Sequence, residues 1–169
     1  MALQTNFSVQ SSIKSIGKIA ARLLVASACI LGSVGAVHAQ QGMVAMESAH
    51  DVQATMDKLE AIVTEKGMKV MARVNHSANA EKAGMELRPT QLLIFGNPKV
   101  GTPLMLCSQS IAIDLPQKML VWQAEDGKVY AGFNDPAHLK DRHSTEGCDA
   151  VFEKVSGALN NFAKAATSP

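Results

Sequence analysis

The chain has 169 residues, of which 47% are hydrophobic and 18% charged. This composition excludes an intrinsically disordered protein, and the length suits one domain. The formal net charge is +1, but without Lys14, Lys18 and Arg22 only 13 of the 16 basic residues remain against 15 acidic ones, a net charge of −2. Such a balance argues against nucleic-acid binding, because proteins that bind nucleic acids carry a clustered excess of Lys and Arg.

The N-terminal region has the pattern of a secretory signal. The same three basic residues precede an uncharged run at 23–37, which ends at Val37-His38-Ala39. Small residues thus occupy the two positions that a signal peptidase reads. The fifteen residues of the run are too few for a membrane anchor, which needs about 20. We predict a signal peptide at 1–39, cleaved after Ala39, and a mature domain at 40–169 without a membrane span, in the periplasm or secreted.

The first half of the mature chain is predicted to mix strands and helices. Apolar residues recur at helical spacing over 52–63, after a capping pair of Ser48 and Asp51 and before Gly67. Alternation of apolar and polar side chains predicts a strand from Met68 onward. The shorter elements of this half are strands at 44–47, 68–75 and 92–95 and a surface helix at 77–83.

A loop is predicted after the strand at 92–95. Residues 96–103 hold two glycines and two prolines, which is typical of a loop. Thr102 followed by Pro103 is a favourable N-cap and first helical residue. A helix is therefore predicted from Pro103 to about Ile111.

The second half is predicted to contain a hairpin and two helices. Strands at 119–123 and 129–133 flank Asp126-Gly127, a preferred centre for a tight turn. A short helix is predicted from 134–136 to about Arg142, and an amphipathic helix over 151–162, with 167–169 frayed. The mixture predicts an α+β fold, a two-layer sandwich of a mostly antiparallel sheet with helices on one face.

Cys107 and Cys148 are the two cysteines that follow the predicted cleavage site. An even number of cysteines in an exported chain favours a disulfide between them. A Cys-x-x-Cys redox motif is absent from the sequence, which argues against a thiol oxidoreductase.

Histidines and methionines raise the hypothesis of a copper site. His138 and His143 are five residues apart, which on a helix turns them about 140° from each other, whereas ligand pairs stand three or four apart. The methionines at 56, 68 and 119 fall on predicted core faces, where packing explains them. We therefore expect no metal and no cofactor; a metal or redox function would need His, Met and Cys to converge.

The segment from Gly96 to Thr102 is the one place where a strand end, a helix N-terminus and a cation, Lys99, coincide. Its spacing G-x-x-x-x-G lacks the Lys that a nucleotide-binding loop requires after the second Gly. Free N–H groups at a helix N-terminus still favour an anion. The alternative is a tight strand-to-helix connection in which the glycines serve backbone shape alone.

Eight short segments follow one another in a characteristic order: Arg88-Pro89-Thr90, Leu93 to Lys99, Gly101 to Met105, Ile113 to Pro116, Val121-Trp122, Asn134 to Pro136, Leu139 and Arg142-His143. Together they resemble domain-of-unknown-function family 302. The resemblance covers about residues 44–165. It implies a compact α+β domain similar to the TATA-binding-protein-like folds, an architectural likeness that does not imply DNA binding, and it implies no particular activity.

These observations predict a non-enzymatic periplasmic binding or accessory module with a small polar cleft. Its ligand would be a small anion or the tail of a protein partner, and a homodimer is left open. One alternative is a hydrolase-like enzyme with His143 as base, oriented by Asp114 or Asp135; the other is the metal or redox protein. The predicted ligand-binding residues are Arg88, Asn97, Lys99, Thr102, Asp114, Asn134 and His143.

Overall fold

The structure, a computed structural model, describes residues 41–169. The predicted signal peptide and its cleavage site after Ala39 lie outside the described residues. A short 3-10 helix, Gln109–Ile113, follows the third α-helix. The other elements, in chain order, are β1 (Met43–Ser48), α1 (Val52–Glu65), β2 (Lys69–Asn75), α2 (His76–Lys82), β3 (Thr90–Gly96), α3 (Pro98–Cys107), β4 (Gln117–Gln123), β5 (Val129–Asn134), α4 (Pro136–Arg142) and α5 (Asp149–Thr167).

The five strands form one antiparallel sheet in the order β1-β5-β4-β3-β2. The predicted hairpin is present, since β4 pairs with β5 and Gly127 in the turn has a φ of 84°. The two long helices, α1 and α5, pack against the sheet and against each other. The predicted α+β fold is therefore confirmed.

The core lies between the sheet and the two long helices. Alternate residues of the inner strands face it, as the period of two in a strand requires. Phe95 of β3 meets Phe162 of α5 edge to face, with ring centroids 6.1 Å apart. The other buried residues at the centre of this layer are Met56, Leu59 and Val63 of α1, Leu93, Met119, Val121, Ala131 and Phe133 of the sheet, and Val155 and Leu159 of α5.

Helix α1 begins and ends close to its predicted positions. The Oδ1 atom of Asp51 accepts a hydrogen bond from the backbone N–H of Ala54 at 2.7 Å, so Asp51 is the N-cap. Ser48 does not cap the helix, because its hydroxyl lies 2.7 Å from the hydroxyl of Thr55. Gly67 follows the helix with a φ of 73°, the left-handed conformation that glycine adopts without strain.

The predicted loop at 96–103 and the helix predicted from Pro103 to Ile111 were wrong. Helix α3 already begins at Pro98 and ends at Cys107, and Pro103 lies inside it. The sequence offers two pairs of a capping residue and a proline, and Asn97-Pro98 serves as N-cap and first residue. Pro103 then lacks the N–H that would bond to the preceding turn.

The C-terminal helix is longer than predicted. α5 continues to Thr167, whose backbone oxygen accepts a hydrogen bond from the N–H of Ala49 at 2.9 Å. Thr167 is buried, so the predicted fraying from that residue was wrong. Within residues 41–169, no helix is both long enough and apolar enough to cross a membrane.

Candidate functional site

The N-terminus of α3 is closed by the protein's own groups. Oδ1 of Asn97 accepts a hydrogen bond from the N–H of Lys99 at 2.9 Å. The backbone carbonyl of Asn97 accepts from the N–H groups of Val100 and Gly101, both at 2.9 Å. The backbone N–H groups of Lys99, Val100 and Gly101 therefore already have partners within the chain. Lys99 itself is an exposed residue.

A cavity of about 340 Å³ opens beside this turn. It lies between α3 and α5, next to the end of β3 and the segment that leads into β4. Its volume falls in the range of small-molecule sites, which begins at about 300 Å³. Most of its wall is apolar, and the main apolar residues are Phe95, Leu104, Leu115, Val155, Leu159 and Phe162.

Three methionines, Met68, Met71 and Met105, also line the cavity. The thioether side chain is unbranched and polarisable, so it adapts to ligands of different shape and is common on binding surfaces. Met71 of β2 is 46% exposed, so it lies at the solvent side of the cavity.

Polar groups are few on this wall. Asn97, Thr102 and Gln117 are the uncharged polar residues that line it, and Lys154 is a basic residue on the same wall. Within the described residues, Lys154 takes part in no ion pair. A cation without a protein counterion at an apolar cavity favours a ligand with one negatively charged end.

A second cluster joins the 3-10 helix to the end of α4. Nε2 of His143 lies 2.6 Å from Oδ2 of Asp114, and Nη1 of Arg142 donates to Oδ1 of the same carboxylate at 3.2 Å. The other ring nitrogen, Nδ1, lies 2.9 Å from the hydroxyl of Ser110. The side chains of His143 and Asp114 are only 6% and 11% exposed, so both are held in fixed orientations.

The predicted ligand-binding residues lie in separate places. Asn97 and Thr102 line the cavity, whereas Lys99 does not. Asp114 and His143 contact each other in the second cluster. These residues therefore do not surround one common cleft, and a binding role for each of them stays a prediction.

Two further predicted residues lie at strand ends. Arg88 donates from Nε to the carbonyl of Gln123 at 3.2 Å, at the end of β3 away from Gly96. Asn134 ends β5 opposite Met43. Asp135 caps α4 by accepting from the N–H of Ala137 at 2.9 Å, so it serves the helix and is not the partner of the histidine.

The sequence did not single out Lys154 or Ser110. Lys154 reaches the cavity from α5, about fifty residues after the strand and helix that form the other wall. Ser110 meets His143 from 33 residues away. Because the residues of each pair are far apart in the sequence, no local pattern of residue spacing could reveal them.

The predicted partners Cys107 and Cys148 are joined in a disulfide, with their Cα atoms 6.3 Å apart. Beside them, Lys140 of α4 forms a hydrogen-bonded ion pair with Asp149, the first residue of α5. The hydrogen bond with Asp149 raises the pKa of Lys140, and the same bond lowers the pKa of Asp149. The start of α5 is thus attached to both α3 and α4.

Metal ligation is not visible in the described part of the chain, where no three His, Cys, Asp or Glu side chains group as ligands. Among residues 41–169, the soft donors that line the cavity are its three methionines, and a wall made mostly of carbon atoms suits an organic ligand.

Comparison with known proteins identifies the family. The profile described as "Domain of unknown function DUF302" matches residues 44–162. The chain belongs to the DUF302 family. A crystal structure of a DUF302 protein from Bacillus stearothermophilus superposes with a TM-score of 0.68 at 16% identity, covering 75% of this chain and 99% of that one. At this identity the likeness establishes the fold alone.

Longer proteins match part of the chain. The fluoride-specific ion channel FluC 1 of Brucella suis biovar 1 is 47% identical over 103 residues, 61% of this chain and 41% of that protein. FluC 1 of Brucella abortus biovar 1 has the same identity over 103 residues, which are 38% of its length. The chain therefore spans about two fifths of the length of these relatives.

Proposed function

We propose that this DUF302 domain is a binding module for a small, mostly apolar molecule with one anionic end. The observation that carries the proposal is the apolar cavity of about 340 Å³ with Lys154 on its wall. Burial of the ligand's carbon atoms supplies most of the affinity, at roughly 25 cal/mol for each Å² removed from water. The ammonium of Lys154 selects for a carboxylate or a similar group.

The proposed ligand is mostly apolar, whereas a polar cleft around Lys99 would bind a small anion. The helix N-terminus beside Lys99 has its N–H groups occupied by Asn97, while the neighbouring cavity offers apolar surface. A medium-chain carboxylic acid or an aromatic acid combines an apolar body with an anionic end. The proposed setting is the periplasm, supported by the signal-like segment ending at Ala39 and by the disulfide between Cys107 and Cys148.

Fluoride is a poor candidate for this cavity, although the longer relatives are named fluoride-specific channels. A small anion loses strong hydration on entering an apolar space and needs several donors in return. The wall of the cavity carries few polar side chains. We expect fluoride at about a 10-fold excess over octanoate to leave octanoate binding unchanged, since burial of the alkyl chain carries the affinity.

The proposal is tested by calorimetric titration of the full chain with octanoate, and with octylammonium as the probe of opposite charge. Octanoate is expected to bind more tightly. The variant Ala158→Phe places a ring in the cavity, because Ala158 lines it from α5, and is expected to abolish binding. The matched control is Ala165→Phe at an exposed position of the same helix. Equal binding by both variants, or no binding of octanoate to the parent protein, would overturn the proposal.

A further inference from the structure

Ser110, His143 and Asp114 form a continuous row of hydrogen bonds outside the cavity. The distances are 2.9 Å from the serine Oγ to Nδ1 of the imidazole and 2.6 Å from Nε2 to the carboxylate. An ionised carboxylate can only accept hydrogen bonds, so it fixes the proton of the neutral ring on Nε2. Nδ1 then presents its lone pair to the hydroxyl of Ser110.

This arrangement has the order of groups that activates a serine nucleophile: hydroxyl, imidazole base and orienting carboxylate. The two ring nitrogens are exchanged relative to the usual arrangement, but the proton path from oxygen to imidazole is the same. Arg142 holds the second carboxylate oxygen at 3.2 Å, which keeps Asp114 in position beside the ring.

The surroundings of Ser110 leave its hydroxyl accessible. Ser110 is an exposed residue, whereas the imidazole behind it is only 6% exposed. The hydroxyl of Ser108 lies 3.0 Å from that of Ser110 and can donate to an oxygen that develops charge there. Leu106 and Ile113, within four residues on either side, are 83% and 72% exposed and offer apolar contact to a substrate.

We propose that Ser110 is the nucleophile of an ester-cleaving site, distinct from the cavity, that takes esters with a short apolar acyl group. Oγ attacks the carbonyl carbon while its proton passes to Nδ1 of His143. The bond to the alcohol oxygen breaks, and that oxygen leaves with the proton from Nδ1. Water then attacks the acyl-serine, gives its proton to Nδ1, and releases the carboxylic acid as Ser110 regains its proton.

The alternative is that the same hydrogen bonds only fasten the 3-10 helix to α4. The reactivity of Ser110 distinguishes the catalytic role from the structural one. A serine with a structural role alone reacts no faster in the folded protein than in the unfolded chain. His143 is the catalytic base under the proposal, and Asp114 is a positioning residue that acts through it. None of the three side chains in this row of hydrogen bonds lines the cavity.

The experiment uses the full chain and a fluorophosphonate, which transfers its phosphonyl group to an activated serine and releases fluoride. Peptide mass spectrometry is expected to find the adduct on Ser110, formed about 100-fold faster than in His143→Gln. Ser110→Ala removes one exposed hydroxyl and should fold normally while losing the adduct. Ser156→Ala is the control, since its hydroxyl lies on α5 beside Asn160, and it should label as the parent does.

In Asp114→Asn, the rate constant for adduct formation at saturating fluorophosphonate should fall. The fluorophosphonate concentration that gives half of this rate should stay the same. The folded parent should also hydrolyse 4-nitrophenyl butyrate, and Ser110→Ala should not. Absence of the adduct from Ser110, or labelling at an equal rate in urea-unfolded chain, overturns the proposal whether or not His143→Gln folds.

Discussion

Cys107, the last residue of α3, is bonded to Cys148, the residue that precedes α5. These two helices form facing walls of the cavity. The disulfide therefore fixes the distance between the two cavity walls at one end. Removing it should change both the stability of the protein and its affinity for a ligand in the cavity.

Replacing both cysteines, Cys107→Ser with Cys148→Ser, is expected to lower the free energy of unfolding by up to about 4 kcal/mol, the chain-entropy value for a loop of this size. Octanoate should bind more weakly because α3 and α5 lose their covalent connection. Chemical denaturation and calorimetry measure the two effects. An unfolding midpoint equal to that of the oxidised parent would contradict the structural role.

Lys154→Gln is expected to weaken octanoate binding about two- to fivefold, since a partly exposed ion pair contributes roughly 0.4 to 1 kcal/mol. Binding of octan-1-ol, which has no charge, should not change. Lys164→Gln provides the control, because Lys164 is exposed on the same helix and does not line the cavity. An equal loss in both variants would show that general charge, and not Lys154, attracts the anion.

Leu104→Ala enlarges the cavity from the side of α3. Leu104 is 1% exposed, and a leucine-to-alanine change at a buried site costs about 2 to 5 kcal/mol of stability. Leu106→Ala on the same helix should change stability by less than about 0.5 kcal/mol, because that side chain is exposed. Urea unfolding curves of the two variants should therefore separate clearly, and coincident curves would show that Leu104 does not support the core.

The Lys140–Asp149 pair predicts a pH dependence of stability. The hydrogen bond with Lys140 lowers the pKa of Asp149 below its ordinary value of 3.8, so the stabilisation is present above that value and is lost as pH falls through the lowered pKa. The hydrogen bond with Asp149 raises the pKa of Lys140 above 10.5. That contribution is complete below 10.5 and is lost as pH rises through the raised pKa.

Lys140→Gln should therefore have a lower melting temperature than the parent at neutral pH, and the difference should vanish in strong acid. The difference should be small and should shrink in about 1 M salt, because the pair is exposed to solvent. A difference that persists unchanged in acid would assign the effect to packing of the lysine stem and not to its charge.

Local patterns predicted most of the fold. The spacing of apolar residues located α1 and α5, and Asp126-Gly127 located the hairpin, because these signals depend on neighbours in sequence. The start of α3 was missed because Asn97-Pro98 and Thr102-Pro103 carry the same capping signal. The choice between them depends on where β3 ends and on the contact of Asn97 with the carbonyl of Gly67.

The candidate sites were less accessible to sequence reasoning. The cavity wall combines residues of β2, β3, α3 and α5, and only the tertiary fold brings those segments together. His143 was recognised as a residue that an acid could orient, but the sequence left Asp114 and Asp135 as alternatives. The structure pairs it with Asp114 and adds Ser110, which nothing in its neighbourhood distinguished from other serines.

Occupation of the cavity is tested most directly by methyl NMR of the full chain carrying ¹³C-methyl methionine, titrated with octanoate. The signals of Met68, Met71 and Met105, which line the cavity, are expected to shift together and to saturate. Those of Met56 and Met119 in the core and of exposed Met85 should stay in place. Saturable binding that leaves the three cavity methionines unshifted would contradict the account.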